Sequence, residues 1–208
     1  MDKNKVTKIV NTLAGVFTDK PALNFNSDYQ LLVAVILSAQ CTDERVNKVT
    51  SVLFKKYGTP EQMLSLSQEQ LEGYIFSCGL YKEKAKHILS ASCDLINKFN
   101  GQVPKTLEAL QSLSGVGRKT ANVVLSVAFG QPAIAVDTHV FRVSNRIGLV
   151  NENNVNSTEK ALMNILDKKD WSRTHHYLIY LGRSYCLARK PNCENCPIEK
   201  LCEKRIKR

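Results

Sequence analysis

Four cysteines near the carboxyl end of the sequence have the residue type and spacing of a metal site. Six residues separate Cys186 from Cys193, two separate Cys193 from Cys196, and five separate Cys196 from Cys202. Four thiolates spaced in this way suit either a tetrahedral zinc ion or an iron–sulfur cluster. Structural zinc sites commonly pair two C-x-x-C segments, whereas this array contains one. The spacing therefore predicts a metal centre and leaves the metal undecided.

Disulfide bonds are the alternative use of these thiols. The first five residues lead into no apolar signal segment, and the total of seven cysteines is odd. We therefore expect a reducing compartment, in which disulfides are rare. The other three cysteines, Cys41, Cys78 and Cys93, are scattered among apolar residues, where small buried thiols are expected.

A second segment whose residues could bind a ligand or take part in a reaction, residues 113–121, joins two predicted helices. It reads Leu-Ser-Gly-Val-Gly-Arg-Lys-Thr-Ala, and its two glycines allow positive φ and a close approach of the backbone to a ligand. The helix beginning at Arg118 would present free N–H groups and its positive dipole end, which suit a phosphate. Arg118 and Lys119 add positive charge there. An ordinary tight turn is the alternative, because Gly-x-Gly alone is a weak signal.

Asp137 is the third candidate, because it follows the short apolar run 133–136 and precedes another predicted helix. An aspartate at such a position most often caps the helix. It stays ionised while it does so, and a carboxylate that caps a helix therefore remains capable of acid–base or electrostatic chemistry.

The charge balance favours a polyanionic partner. Lysine and arginine total 29 against 19 aspartates and glutamates, which gives a net charge of +10. Residues 182–208 hold eight of the basic residues and three glutamates, or +5, which is half of the surplus. A solubilising tail would have the same composition, so the charge suggests nucleic acid without establishing it.

The elements that must position these residues are predicted to be helices, about ten of them, with almost no β structure. Hydrophobic residues make up 43% and charged residues 23% of the chain, as in soluble globular proteins. The longest apolar run, Leu31–Leu37, is seven residues, whereas a membrane span needs about 20; we expect a buried helix there. Thr59-Pro60 and Ser67 with Gln70 predict helix starts, and Gly79 and Asn100-Gly101 predict helix ends.

Taken in order along the chain, these segments resemble the endonuclease III-like proteins of the helix–hairpin–helix DNA glycosylase superfamily. The resemblance rests most strongly on the hairpin with its lysine, on V-D-T-H at residues 136–139 and on the cysteine spacing. Residues 37–43 and 79–81 also match family segments. The hairpin departs from the family at Ser114, where proline is usual.

This resemblance implies an all-α fold of two helical domains. Residues 22–132 would form a central domain with the helix–hairpin–helix motif. Residues 1–21 and 133–208 would form a second domain whose C-terminal loop is held by a [4Fe–4S] cluster. The active site would lie in the cleft between the two domains.

The resemblance also implies a bifunctional DNA glycosylase and abasic-site lyase that excises oxidised pyrimidines from duplex DNA in base excision repair. Lys119 would attack the sugar C1′ and form a Schiff base that permits β-elimination on the 3′ side. A lysine attacks as a neutral amine, a form that the positive helix end and the exclusion of water by bound DNA favour. Asp137 would stabilise the cationic sugar and assist proton transfer.

The remaining implied residues bind the cluster or the DNA. Cys186, Cys193, Cys196 and Cys202 would ligate the cluster, and Gly115, Gly117, Arg118, Arg189 and Lys190 would hold phosphates. Gln40 and Leu80 would fill the space left by a flipped nucleotide; without the resemblance, Leu80 would be taken for a core residue and Gln40 for a polar helix end. The expected partner is double-stranded DNA with oxidised pyrimidines or abasic sites. We expect a monomer without membrane contact, in the cytoplasm and associated with the bacterial nucleoid.

Two rival functions remain open at this point. One is a related monofunctional glycosylase of the mismatch adenine-removing type, which usually lacks the hairpin lysine. The other is a non-catalytic DNA-binding module with a structural metal, which would bind DNA tightly and form no covalent complex with it.

Overall fold

The structure, a computed structural model, describes residues 1–206, and the regular secondary structure in this range consists of helices. No residue in this range lies in a β-strand, and the all-α prediction is confirmed. The helices are α1 (Lys3–Ala14), α2 (Asp28–Ser38), α3 (Asp43–Leu53), α4 (Pro60–Met63), α5 (Gln68–Ile75), α6 (Tyr81–Phe99), α7 (Leu107–Gln111), α8 (Arg118–Phe129), α9 (Thr138–Ile147), α10 (Val155–Ile165) and α11 (Trp171–Ser184). Among residues 1–206, no helix has both the length and the apolar character needed to cross a membrane.

Contacts divide the chain into two compact units. The hairpin unit is Pro21–Gly130, and the cysteine unit combines Met1–Lys20 with the described residues from Gln131 onward. Compared with the hairpin unit, the predicted central domain, 22–132, begins one residue later and ends two residues later in the chain.

The hairpin unit is built around α2. All seven residues of the apolar run Leu31–Leu37 are buried, because α3, α6 and α8 pack against this helix. The Ser27 hydroxyl accepts a hydrogen bond from the N–H of Gln30 and thereby caps the start of α2. The prediction of a buried helix is confirmed, and each large aliphatic side chain buried here stabilises the fold by about 1.5–3 kcal/mol.

Local capping signals determine where α4 and α5 begin. Thr59 caps α4 immediately before Pro60, and Ser67 and Gln70 form the predicted capping box at the start of α5. The predicted end of α5 at Gly79 is wrong, because the helix ends at Ile75.

The end of α6 follows its predicted signal. Asn100 and Gly101 both have positive φ, 51° and 77°, and the N–H of Gly101 donates to the carbonyl oxygen of Leu95 at 2.9 Å. The N–H of Asn100 donates to the same carbonyl, and left-handed residues that bond back to the last turn are typical of helix C-caps.

The three scattered cysteines do not share one environment. Cys78 is fully buried, as predicted, and burial raises the pKa of its thiol to about 11. The prediction is wrong for Cys93, which is exposed, and for Cys41, which is partly exposed. Cys93 lies on the solvent side of α6, where its Sγ accepts a hydrogen bond from Nδ2 of Asn97 at 3.2 Å.

The cysteine unit packs α1, α9, α10 and α11 around a second core. Its buried members include Ile9 and Leu13 of α1, Val140 and Val143 of α9, Leu162 of α10, and Leu178 and Leu181 of α11. Gly182 lets α9 and α11 approach closely, since a Cβ there would lie 3.1 Å from Cγ2 of Val143.

The capping box generates a stability prediction. Ser67→Ala removes the hydroxyl that accepts from the N–H of Gln70, and loss of an N-cap destabilises a protein by about 1 kcal/mol. The apparent Tm should fall by roughly 2–4 °C, the usual shift for a chain of this size.

Ser90→Ala, at an exposed position within α6, is the matched control and should leave the Tm unchanged or slightly raised. Equal melting temperatures for Ser67→Ala and the wild type, measured on cluster-loaded protein, would show that the capping box does not stabilise the fold.

Candidate functional site

The predicted hairpin is present between α7 and α8 of the hairpin unit. Its tip is exposed except for Val116, which is buried beneath it. Gly115 has φ 76°, whereas Gly117 has extended backbone (φ −82°, ψ 175°) at the N-cap of α8. The expectation of positive φ is therefore confirmed for Gly115 only.

Gly117 is the N-cap residue of α8. Having no side chain, it provides no hydrogen bond to the first turn, unlike Ser27 at the start of α2. No described atom lies within 4 Å of a Cβ built on Gly117, so packing inside the protein does not explain a glycine here. Open N–H groups at a positive dipole end are what an anion such as phosphate requires.

The hairpin rests on His87 of α6. Nδ1 of His87 lies 2.9 Å from the hydroxyl oxygen of Ser114, and a Cβ on Gly115 would lie 2.7 Å from Cβ of His87. Gly115 is thus required both by its φ and by this close contact. No local pattern predicts this contact, because His87 is 27 residues from Ser114.

Arg118 and Lys119 occupy the first turn of α8, and both are exposed. Their side chains therefore bring two positive charges to the positive dipole end of the helix. An exposed amine beside an anion site can meet the sugar–phosphate backbone of a nucleic acid.

In the cysteine unit, Asp137 is the N-cap of α9. Its Oδ1 accepts hydrogen bonds from the N–H groups of His139 and Val140, both at 2.8 Å. Its other oxygen, Oδ2, lies 3.5 Å from Nδ1 of His139, and 15% of the Asp137 side chain is exposed. The cap thus uses one carboxylate oxygen for both N–H groups, and the two roles considered for Asp137 are compatible.

The structure brings Gln40 and Leu80 to adjacent loops of the hairpin unit. Both have left-handed backbone, with φ 53° and 61°, and both are exposed. A Cβ on Gly79 would lie 3.4 Å from the carbonyl oxygen of Gln40, so the two loops touch. Leu80 has 60% of its surface in solvent, which excludes a core role. A large apolar side chain held outward by a costly backbone conformation is typical of a functional position.

The four clustered cysteines line one cavity, which opens to solvent. Burial raises the pKa of the thiols of Cys196 and Cys202, and the neighbouring thiols raise it further. Two donors face the sulfurs: the N–H of Lys204 lies 3.2 Å from Sγ of Cys202, and Nη1 of Arg146 lies 3.9 Å from Sγ of Cys186.

Four thiols around one cavity fit an iron–sulfur cluster. Soft thiolates also bind zinc and copper(I), so the thiols by themselves suit any of these centres. Donors to the sulfurs stabilise the negative charge of the ligands.

Two arginines of α9 hold the beginning of the loop between Cys186 and Cys193. Arg142 donates to the carbonyl oxygens of Gly182, at 2.9 Å, and of Cys186, at 3.1 and 3.2 Å. Arg146 donates to the carbonyl oxygens of Leu187, at 2.6 Å, and of Ala188, at 3.0 Å.

Sequence reasoning missed this role of Arg142 and Arg146, although their i, i+4 spacing places them on one face of α9. The loop that they hold presents Arg189 and Lys190 to solvent. Lys190 has φ 49°, a conformation that this tethered loop maintains.

Comparisons with known proteins agree with this arrangement. Residues 33–168 match the family described as HhH-GPD superfamily base excision DNA repair protein. Residues 186–202 match the iron–sulfur binding domain of endonuclease III, and the chain binds a [4Fe–4S] cluster.

Individual relatives are similar over most of their length. Endonuclease III of Bacillus subtilis (strain 168) is 52% identical over 184 residues, which cover 88% of this chain and 84% of the relative. Endonuclease III of Rickettsia conorii is 48% identical over 201 residues, or 94% of this chain and 96% of the relative.

A solved structure, described as a trapped endonuclease III–DNA covalent intermediate in an estranged-adenine complex, has a TM-score of 0.93 at 48% identity. The match covers 98% of this chain and 97% of that one. The family model matches more than half of the chain, and this chain belongs to the endonuclease III family of the HhH-GPD superfamily.

Proposed function

We propose that this chain removes oxidised pyrimidines from duplex DNA and cleaves the strand 3′ to the abasic site that results. As a member of the endonuclease III family, it is a bifunctional base excision repair enzyme, a DNA glycosylase and abasic-site lyase. The observation that supports this most directly is the similarity to an endonuclease III trapped covalently on DNA, because a covalent intermediate requires a nucleophile on the protein. The choice of oxidised pyrimidines rests on the family resemblance of the site segments.

Lys119 is assigned as that nucleophile. Its Nζ attacks C1′ of the damaged nucleoside, the bond from C1′ to the base breaks, and the base leaves with a proton. Opening of the sugar ring gives a Schiff base between Nζ and C1′. Loss of a proton from C2′ then breaks the bond from C3′ to its oxygen and releases the phosphate on the 3′ side. Water hydrolyses the Schiff base and restores the amine.

Asp137 is assigned to the developing positive charge on the sugar. Since Oδ1 caps α9, we assign the chemistry to Oδ2. A carboxylate there would stabilise the cationic sugar and assist proton transfer.

The damaged nucleotide has to leave the base stack before Lys119 can reach it, which requires a few kcal/mol. Gln40 and Leu80 would occupy the vacated space. The N–H groups at the start of α8 and the basic residues Arg189 and Lys190 would bind the phosphates, and each phosphate neutralised strengthens binding by releasing a counterion.

Cys186, Cys193, Cys196 and Cys202 are assigned as ligands of the cluster. When bound, the cluster supplies a rigid anchor for this loop and takes no part in bond breaking. The chain itself adds the tethers from Arg142 and Arg146 to the loop backbone. We propose that the protein acts as a monomer on chromosomal DNA in the cytoplasm, associated with the bacterial nucleoid.

Replacing the proposed nucleophile should separate DNA binding from chemistry. Lys119→Gln removes the amine and keeps a polar side chain, and one exposed charge contact contributes only roughly 1 kcal/mol. The variant should bind an abasic-site duplex within about tenfold of the wild type, yet cleave no strand and give no covalent complex with borohydride.

Arg118→Gln, which removes one positive charge from the same helical turn, is the control and should still be trapped. A Lys119→Gln protein that is trapped as strongly as the wild type would move the nucleophile to another amine. Tight binding without trapping by the wild-type protein would favour the non-catalytic DNA-binding module instead.

Asp137→Asn tests the carboxylate without removing the helix cap, because asparagine caps helices as well as aspartate does. Release of an oxidised pyrimidine in single-turnover assays should slow by about a hundredfold or more, the scale expected for a positioned acid–base group. The melting temperature should stay close to that of the wild type. If Asp137→Asn releases the base at the wild-type rate, Asp137 is a helix cap and has no catalytic role.

A further inference from the structure

We propose that Lys84 is a positioning residue that fixes the loops of Gln40 and Leu80 relative to each other. These insertion loops are residues 39–42, after α2, and residues 76–80, before α6. The inference rests on the proposed function, in which Gln40 and Leu80 fill the space that a flipped nucleotide leaves.

The side chain of Lys84 holds the first insertion loop. Lys84 is 4% exposed, and its Nζ donates to the carbonyl oxygens of Leu37, at 2.8 Å, and Ala39, at 2.6 Å. These carbonyls belong to the end of α2, where helical carbonyl groups lack partners within the helix. The second of them immediately precedes Gln40.

The backbone of Lys84 holds the second insertion loop. Its N–H donates to the carbonyl oxygen of Leu80 at 3.0 Å, the first hydrogen bond of α6. One residue therefore binds Leu80 through its main chain and the neighbour of Gln40 through its side chain. The contact of Gly79 with the carbonyl of Gln40 joins the two loops directly.

Both residues that these bonds fix have unfavourable backbone conformations. Gln40 and Leu80 have positive φ, which non-glycine residues keep only where the surroundings impose it. Leu80 is nevertheless mostly exposed, so its own side chain provides little packing to impose that conformation. The hydrogen bonds from Lys84 restrain both positions, in addition to the turn bond from the N–H of Cys41 to the carbonyl oxygen of Ser38, which spans Gln40.

Burial of an ammonium group is unfavourable and requires compensation. Burial lowers the pKa of Lys84, and the thiols of Cys78 and Cys41 oppose that shift. A methionine could fill this volume without desolvation of a charge. Two short hydrogen bonds to helix-end carbonyls compensate for burying the charge, and the resulting rigidity reduces the entropy lost when the loops enter DNA.

Lys84→Met keeps the apolar stem and the backbone N–H that donates to Leu80, and it removes only the Nζ donor that holds the carbonyls of Leu37 and Ala39. The probes are a duplex with a tetrahydrofuran abasic-site analogue and an otherwise identical undamaged duplex. The preference for the analogue should fall about tenfold or more, the scale of losing hydrogen bonds from a buried charged group. Lys86→Met, on the exposed side of α6, is the matched control and should keep the preference.

A double-mutant cycle distinguishes positioning from general destabilisation. In a Gln40→Ala/Leu80→Ala background, Lys84→Met should lower the preference by less than about twofold, because the residues that it positions are absent. An equal loss in both backgrounds would mean a structural role only and would overturn the proposal. If Lys84→Met does not fold, Lys84→Gln, which is shorter and keeps a neutral donor, takes its place with the same two outcomes.

Failure of the inference can be told from failure of the proposed function. If Gln40→Ala/Leu80→Ala alone leaves the preference unchanged, the gap-filling assignment is wrong and the role of Lys84 is wrong with it. If that variant loses the preference and Lys84→Met does not, only the role of Lys84 is wrong. Trapping through Lys119 is measured in parallel and depends on neither result.

Discussion

The N–H groups in the first turn of a helix find no partner within the helix, and this is the constraint on which both proposed catalytic residues depend. In α8, Gly117 has no side chain to cap these N–H groups, and Lys119 lies in the same turn. In α9, one oxygen of Asp137 satisfies two N–H groups, and a carboxylate is thereby fixed at the helix start. The same backbone property thus underlies the proposed phosphate contact in one unit and orients a carboxylate in the other.

Carbonyl groups near helix ends take part in the complementary interaction, in which a cationic side chain donates hydrogen bonds to them. Lys84 binds carbonyls at the end of α2, and Arg142 binds carbonyls of Gly182 and Cys186 around the end of α11. Cations near helix C-termini are favoured by the unpaired carbonyls and by the helix dipole. In this protein they also hold the segments that follow the helices, which include Gln40 in one unit and the cysteine loop in the other.

The features that could be predicted from the sequence are those that neighbouring residues determine. The capping box of Ser67 and Gln70, the end of α6 at Asn100 and the burial of residues 31–37 each follow from a local pattern, and each is observed. The hairpin was also recognisable, since its glycines and the basic first turn of α8 are contiguous.

The missed features depend on contacts between residues far apart in the chain. Lys84 binds a carbonyl 47 residues away, and Arg146 binds one 41 residues away; no local pattern identifies these partners. The prediction that Gly79 ends α5 is wrong for the same reason. Gly79 contacts the carbonyl of Gln40, which is distant in the chain. Cys93 was misplaced because apolar neighbours in sequence point to the other side of α6.

Identification of the residue that becomes attached to DNA tests the central claim most directly. Wild-type protein is trapped with borohydride on an abasic-site duplex, digested with nuclease and protease, and mapped by mass spectrometry. The account predicts one modified residue, Lys119, with the reduced sugar remnant on Nζ. A remnant on another lysine or on the amino terminus, with Lys119 unmodified, would contradict it.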